Sequence, residues 1–406
     1  MFHKKNVLVA AMITIMVLSA CVSAPAATPA PAAPAATSAP AATTAPAATQ
    51  VMTATAVMTA TQAMAATAVM TATKAPAATQ AMTATAVMTA TQTVTATQAA
   101  TGGTTGQISV GLITKTETNP FFVKMKEGAA KEAAAKGVKL LTAAGAYDGD
   151  NQGQVTAIEN MVNAGVKGIL ITPNDSKAIV PTIQKARQAG VLVIALDTPL
   201  DPQNASDALF ATNNMTAGQL IGAYAKAVMA GKPAKIAMID GTPGTTVSQL
   251  RHDGFLAGYG IKEGDAQIVC TQAANGDQAK SQTAMENCLS KAPDINLVYT
   301  INEPTAFGVN TALKAAGTAQ NATVVSIDGG CTGVNGVKNG QIAATSQQYP
   351  LKMASMGVEA IVKYAKDGTK PTGYTDTGVT LITDKAQSGV DSKDSTFGLA
   401  NCWGTK

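Results

Sequence analysis

Residues 107–137 read QISVGLITKTETNPFFVKMKEGAAKEAAAKG, one complete strand-to-helix step. Ile108–Ile113 is a short apolar run rich in β-branched side chains, the composition of a buried strand. Asn119-Pro120 suits a helix start, with Asn at the N-cap and Pro in the first turn. Phe121–Lys136 then reads as helix, and Gly137 fits the left-handed residue that closes one. A strand resumes at Lys139–Leu141. Further along, strands at Gly168–Thr172 and Val191–Leu196 alternate with helices at Val155–Ala164 and Ala178–Ala189, closed by Gly165 and Gly190. The pattern restarts with strands Lys235–Asp240, Gln267–Cys270, Asn296–Ile301 and Thr323–Asp328. Their helices are Ser248–Tyr259, Ala279–Lys291 and Pro304–Ala316. Continuous apolar strands between helices imply parallel sheets covered on both faces. Right-handed crossovers then give doubly wound layers. The expected class is α/β, with two similar doubly wound parallel-sheet lobes in a folded part of roughly 300 residues.

In open parallel sheets ligands bind beyond the carboxyl ends of the strands. The first strand leads to Asn119, Phe121 and Phe122, and the fourth to Asp197. The helix after Lys235–Asp240 carries Arg251, one of two arginines in the chain with Arg187. Asn275 follows the next strand, Asn302 and Glu303 follow Asn296–Ile301, and Asp328-Gly329-Gly330 ends Thr323–Asp328. Gln347 and Gln348 follow the run Ile342–Ser346. Carboxylates, amides, a guanidinium and two phenyl rings on one rim suit a polyol, since carboxylates and amides bind vicinal hydroxyls and rings cover C–H faces. Each residue also has a plainer role: Asn119 as a cap, the phenylalanines as core, Asp197 and Asp328 as turn residues, Arg251 as an ion-pair partner of Asp253. Glu303 at a helix start could simply complement the dipole.

Outward from this domain, the N-terminus differs sharply. Lys4 and Lys5 precede an apolar run, Val7–Leu18, too short for a comfortable membrane span. Leu18-Ser19-Ala20-Cys21 resembles the lipobox of bacterial lipoproteins. That resemblance implies a signal peptide over 1–20, a lipid on Cys21 and an exported protein held at the outer face of the cytoplasmic membrane. An ordinary secretory signal with a chance cysteine is the other reading. From Val22 to Gly106 the chain is nearly all Ala, Thr, Pro, Met, Val and Gln, with Lys74 as its one charge. Met52, Met58, Met64, Met70, Met82 and Met88 fall on a six-residue grid, which is not a helical period. A solvated tether over 21–106 is expected, with β-stacking the alternative.

Cys270, Cys288, Cys331 and Cys402 remain, an even number suited to two disulfides in an exported domain. Of three pairings, Cys270–Cys288 (strand end to following helix) and Cys331–Cys402 (loop to C-terminal tail) are favoured. Zinc is disfavoured, because no CxxC spacing occurs and His252 is the one histidine beyond the leader. Asp148, Asp150, Gln152, Gly153 and Glu159 have calcium-loop spacing, but lie between a strand and a helix, which favours a polar turn. No metal or other cofactor is expected. The 29 Lys and Arg less Lys4, Lys5 and Lys74 leave 26 against 25 acidic residues, so no basic surface points to nucleic acid. No catalytic serine elbow, zinc-protease motif or phosphate loop occurs, so an enzyme is not expected.

The stretches NPFFVKMKEGA, YTINEP, SIDGGC and ATSQQYP resemble the ribose- and fructose-type periplasmic sugar-binding proteins of ABC transporters, most closely the fructose-binding branch. The resemblance covers essentially the whole domain from Gln107. It implies the type I fold, with lobes 107–212 plus 349–377 and 213–348 plus 378–406, and a three-segment hinge near Thr212, Gln348 and Gly378. The ligand pattern then falls on Asn119, Phe121, Phe122, Asp197, Arg251, Asn302, Asp328 and Gln348. Two positions depart from the ribose pattern: Thr198 where arginine follows the aspartate, and Gly276, beside Asn275, where an aromatic stands. A monosaccharide ligand, with fructose ahead of ribose, mannose or a polyol, an ABC permease partner and a monomeric state follow as expectations. A sugar-sensing receptor is the rival reading.

Overall fold

The computed structural model describes residues 107–405. The expected signal peptide, the lipidated Cys21 and the tether lie outside the described residues.

The first sheet begins with β1 (Ser109–Thr114), β2 (Lys139–Ala144), β3 (Gly168–Ile171), β4 (Leu192–Leu196) and β5 (Ala208–Ala211). Their connections include helices α1 (Pro120–Lys136), α2 (Asn151–Asn163) and α3 (Val180–Gln188). Helix α4 (Asn214–Met229) leads into the second sheet: β6 (Ile236–Asp240), β7 (Ile268–Ala273), β8 (Leu297–Thr300), β9 (Thr323–Asp328) and β10 (Ala344–Gln347). Helices α5 (Thr246–Tyr259), α6 (Gln278–Lys291), α7 (Glu303–Ala315) and α8 (Cys331–Lys338) alternate with these strands. The chain then returns through α9 (Pro350–Asp367) to β11 (Gly373–Asp376), crosses to β12 (Thr380–Ile382) and ends at α10 (Ser395–Asn401).

The two sheets have matching strand orders, β2-β1-β3-β4-β5-β11 and β7-β6-β8-β9-β10-β12. The pairings are parallel except β10 with β12, which are antiparallel. The sequence pattern predicts parallel strands only. The exception arises because β12 enters the second sheet from the first one, running back along its edge.

Helices cover both faces of each sheet, as continuous apolar strands require. On one face of the first sheet, Phe121, Phe122, Met125 and Ala129 of α1 pack with Met353, Val358 and Ile361 of α9 over Leu112, Leu170 and Ile194. Its other face packs against Ile158 and Met161 of α2 and Ile183 of α3. In the second sheet α4 and α5 contribute Ile221, Tyr224, Phe255 and Tyr259 to one face. Met285 and Leu289 of α6 and Val309 and Leu313 of α7 cover the other. Each of the larger aliphatic and phenyl side chains contributes about 2 kcal/mol by burial.

Helices α4 and α5 approach so closely that a Cβ on Gly218 would stand 2.3 Å from the Arg251 carbonyl oxygen, and one on Gly254 2.3 Å from that of Met215. This contact fixes the height of α5 and therefore of Arg251.

Both favoured disulfides form. Cys270 of β7 joins Cys288 of α6, and Cys331 of α8 joins Cys402 of the tail. Among the described residues no helix is long and apolar enough to cross a membrane.

The chain passes between the sheets at 212–213, 348–349 and 377–379. Thr212 Oγ1 donates to the Gly378 carbonyl at 3.3 Å, so two of the crossings touch. Trp403 also spans the lobes: its ring packs in the first lobe's core, edge-on to Phe121, while neighbouring Cys402 is tied to the second lobe.

Candidate functional site

Nine of the sequence-predicted rim residues line one cavity: Asn119, Phe121, Phe122 and Asp197 from the first lobe, and Arg251, Asn275, Asn302, Asp328 and Gln348 from the second or its boundary. Glu303 and Gln347 do not: Gln347 is buried at the end of β10, where its amide donates to the Gly329 and Gly398 carbonyls. The cavity is partly open to solvent, and about 430 Å³ of space free of protein atoms lies between its walls and its mouth. It lies beyond the carboxyl ends of β1 and β4 on one side and of β6, β8 and β9 on the other. In both sheets the strand order reverses direction next to β1 or β6, the position where open α/β sheets leave a crevice.

Arg251 organises the polar wall. Its Nε donates to Asn214 Oδ1 at 2.8 Å, and one terminal nitrogen to the Ile301 carbonyl at 3.0 Å and to Asp328 Oδ1 at 3.5 Å. Its other terminal nitrogen stands 3.9 Å from Asp197 Oδ1, across the lobe boundary. Gln348 Nε2 donates to Asp328 Oδ1 at 2.6 Å. Arg251 is thus a buried cleft residue, and Asp253 instead accepts from Gln249. Asp197 Oδ1 and Gln348 Oε1 are buried without a hydrogen-bond partner among the described residues, a costly state for acceptors facing a cavity. Burial pushes the Asp328 carboxyl up to about 7, against the pull of Arg251 and Gln348.

Backbone strain collects at the same place. Four non-glycine residues among those described have positive φ, and three line the cavity: Asp197 at 62°, Asn275 at 56° and Asp328 at 140°. Such conformations cost about 1–3 kcal/mol each and persist where surrounding structure enforces them. They turn carboxylates and an amide off strand ends into the cleft.

The plainer roles coexist with the cavity positions. Asn119 caps α1 by accepting from Phe121 N at 3.0 Å, and Asn302 caps α7 by accepting from Thr305 N at 3.0 Å. Phe121 and Phe122 both join the core and both face the cavity, with ring centroids 5.4 Å apart at 83°. Thr198, where the ribose pattern has arginine, donates to Asp197 Oδ2 at 2.8 Å and so braces that carboxylate.

Glu303 differs from the dipole role open to it in the sequence. It is buried behind the cavity and accepts from Gly329 N at 2.8 Å, Gly330 N at 3.0 Å and Thr345 Oγ1 at 2.9 Å. It therefore clamps the turn that presents Asp328. Burial, and then Asp328, raise its pKa well above the ordinary carboxylate range. A Cβ on Gly333 would come within 1.7 Å of Glu303 Cδ, which is why α8 carries glycine there.

The loop with calcium spacing is built as a polar turn. Asp150 accepts from Gly153 N and Ala146 N, both at 2.9 Å, and caps α2. That helix starts at Asn151 rather than the expected Val155, because the cap lies four residues earlier. Asp148 is not part of the turn's hydrogen bonding and lines the cavity. So does Lys115, which the strand pattern does not single out. Its position immediately after β1 is the signal that marks it.

The lobes also touch beside the cavity. Ser176 N donates to the Gly244 carbonyl and Thr246 N to Ser176 Oγ, both at 3.0 Å, and Thr246 Oγ1 donates to the Pro199 carbonyl.

The chain resembles known proteins in sequence and in fold. The ribose import binding protein of Bacillus subtilis (strain 168) is 32% identical to this chain over 258 residues, covering 64% of this chain and 82% of that protein. The D-allose-binding periplasmic protein of Escherichia coli (strain K12) is 28% identical over 263 residues, covering 63% and 84%. A solved ABC transporter periplasmic solute binding protein from Actinobacillus succinogenes 130z, with bound D-allose, matches with a TM-score of 0.61 and 28% identity, covering 68% of this chain and 98% of that one. The family model described as a periplasmic binding protein domain matches residues 110–370, from β1 through α9 and including every cavity residue named above, and the chain belongs to that family.

Proposed function

We propose that the protein captures a monosaccharide between its lobes outside the cytoplasm and hands it to an ABC transporter permease. The observation that carries this reading is the convergence of Asn119, Asp197, Arg251, Asn302, Asp328 and Gln348, with two phenyl rings, on one cleft. Hydroxyls would exchange hydrogen bonds with the carboxylates and amides, and a ring C–H face would lie against Phe121 or Phe122. Nothing in this constellation pairs a nucleophile with a base, so binding rather than bond cleavage is the proposed activity. Fructose is the proposed sugar, on the strength of the resembling stretches and of Thr198 and Gly276. Ribose and allose are the second reading, because relatives are named for them.

Lobes comprising 107–212 plus 349–377 and 213–348 plus 378–406 would rotate about the three crossings near Thr212, Gln348 and Gly378. Sugar binding favours the closed form insofar as closure adds contacts from the opposite rim. The closed pair would be the surface that a permease reads. A monomer tethered through lipid on Cys21 completes the proposal.

The test is a thermal-shift panel with fructose, ribose, allose, mannose, xylose, galactose, glucose, inositol and xylitol. A ligand at 100 times its Kd adds about 2.7 kcal/mol of stability. A shift with one or two sugars, lost in Asp197→Ala and Arg251→Ala, is the expected result. No shift with any polyol overturns the reading.

A further inference from the structure

Trp403 is the chain's single tryptophan, and it does not line the sugar cavity, yet it touches three parts that build it. Its ring is buried with the first lobe's core and stands edge-on to Phe121 of α1, with centroids 5.6 Å apart. A Cβ on Gly330, in the turn after Asp328, would stand 3.1 Å from the same ring. The Trp403 Nε1 donates to the Gln348 carbonyl at 2.9 Å, at one of the three crossings between lobes. Gln348 in turn donates through Nε2 to Asp328 Oδ1, and its Oε1 has no hydrogen-bond partner among the described residues. One indole thus supports a cavity-facing ring of the first lobe and the main chain of a cavity-facing amide at the boundary.

The tail that carries this ring is fixed to the second lobe. Cys402 is bonded to Cys331, and the Trp403 carbonyl accepts from Cys331 N at 2.8 Å. Upstream, a Cβ on Gly398 of α10 would stand 2.8 Å from Val334 of α8, and the Gly398 carbonyl accepts from Gln347 Nε2 at 3.1 Å. A free tail could follow the first lobe as the cleft opens, and its ring contact would then favour neither state. The bridge prevents that, so rotation of α1 away from α8 has to draw Phe121 off the indole. A contact present in one state only shifts the equilibrium toward that state. We propose that Trp403 is a positioning residue for ligand binding: held by the Cys331–Cys402 bridge, it seats Phe121 and Gln348, latches the lobes in the closed arrangement and slows ligand release without touching the ligand. The inference rests on the sugar-binding reading and adds to it a latch outside the cavity.

The test uses the full-length protein with D-fructose, D-ribose and D-allose. Calorimetry gives the Kd of the tightest binder, and chasing its radiolabelled form with unlabelled sugar gives the release rate. Trp403→Ala is expected to release the sugar about tenfold faster, with association changed less than about threefold. Trp403→Phe keeps a ring beside Phe121 but leaves the Gln348 carbonyl unpaired, and should release it about threefold faster. Cys331→Ser with Cys402→Ser should match Trp403→Ala, and combining all three changes should cost no more, because both remove one latch. In that ligand-free cysteine variant acrylamide should quench Trp403 more than in wild type, where its residue is 7% exposed. Cys270→Ser with Cys288→Ser should leave release, affinity and quenching as in wild type. Trp403→Phe and the cysteine variants carry the test where Trp403→Ala does not fold. Release within about twofold of wild type in the Trp403 variants, losses that add, or equal weakening by the Cys270–Cys288 pair overturns this inference alone. Wild type binding none of the three sugars overturns the sugar reading and this inference with it.

Discussion

The two lobes share a strand order but hold their halves of the cleft by different means. In the second lobe, Arg251, Asp328 and Gln348 bond one another, Glu303 clamps the turn behind them, and α4 meets α5 at backbone contact distance. Both disulfides have their helix ends in this lobe. The first lobe contains no cysteine and relies on apolar packing of α1 and α9 over its sheet. On its rim Asp197 Oδ1 accepts no hydrogen bond among the described residues and faces only Arg251 of the other lobe, at 3.9 Å. One topology thus yields a pre-formed polar half-site and a half whose polar groups gain most from a ligand. In a two-state closure, differential contacts of the second kind drive the equilibrium.

The contrast breaks most visibly at the cross-links. Replacing Cys331 and Cys402 together with serine opens a 71-residue loop and should cost about 4 kcal/mol, against about 3 kcal/mol for the 18-residue Cys270–Cys288 loop. Denaturant titration gives both values, and costs below 1 kcal/mol would show that the second lobe does not depend on its bridges. The first pair should also loosen Trp403, whose Nε1 donates to the Gln348 carbonyl at 2.9 Å. Arg251→Ala comes next. It strips one partner from a buried charge network, and sugar affinity should fall more than hundredfold, about 3 kcal/mol. Asp197→Ala should cost less, because its Oδ1 has no close partner to strand; a larger loss there than at Arg251 would invert the comparison. Glu303→Ala should then cost about 2 kcal/mol of stability by leaving Gly329 N and Gly330 N buried and unpaired, with weaker sugar binding through the displaced Asp328 turn. Unchanged stability would mean the clamp is redundant.

The first unit was legible because its signals agree. The run Ile108–Ile113 lies one residue from the observed β1, and Asn119-Pro120 places the start of α1 correctly. Elements whose information lies in tertiary contact are not visible in the same way. β5 is four residues, ALFA, and α4 carries Gly218 and Gly222, poor helix formers kept for closeness to α5. The rim residues could be read because strand ends locate them in any doubly wound sheet. Glu303 could not be assigned, since a glutamate after an N-cap looks the same whether it faces water or clamps a distant turn. Trp403 is a lone aromatic in a tail, so no periodicity shows that it reaches the other lobe's core.

The smallest effect sharpens the comparison through pH. His252, one residue beyond Arg251 on α5, sits between Asp240 at 2.9 Å from Nδ1 and Glu263 at 2.8 Å from Nε2. Burial opposes its charge, but the two carboxylates outweigh burial and lift its pKa from 6.5 to about 9. A raised folded-state pKa favours the native protein while the imidazole is protonated. The contribution is therefore complete below about pH 6.5 and lost as pH rises through about 9. Because Glu263 stands largely in water, its size should be on the order of 1–2 kcal/mol rather than the roughly 3 kcal/mol of the full shift. His252→Gln should remove this slope between pH 6 and 10. His252 does not line the sugar cavity, so affinity at fixed pH should stay within twofold. The first lobe has no histidine, so hydrogen exchange should place the loss of protection in the second lobe alone. Equal loss in both lobes would mean that α5 transmits the titration through Arg251 to Asp197, and that the two halves of the cleft are one cooperative unit.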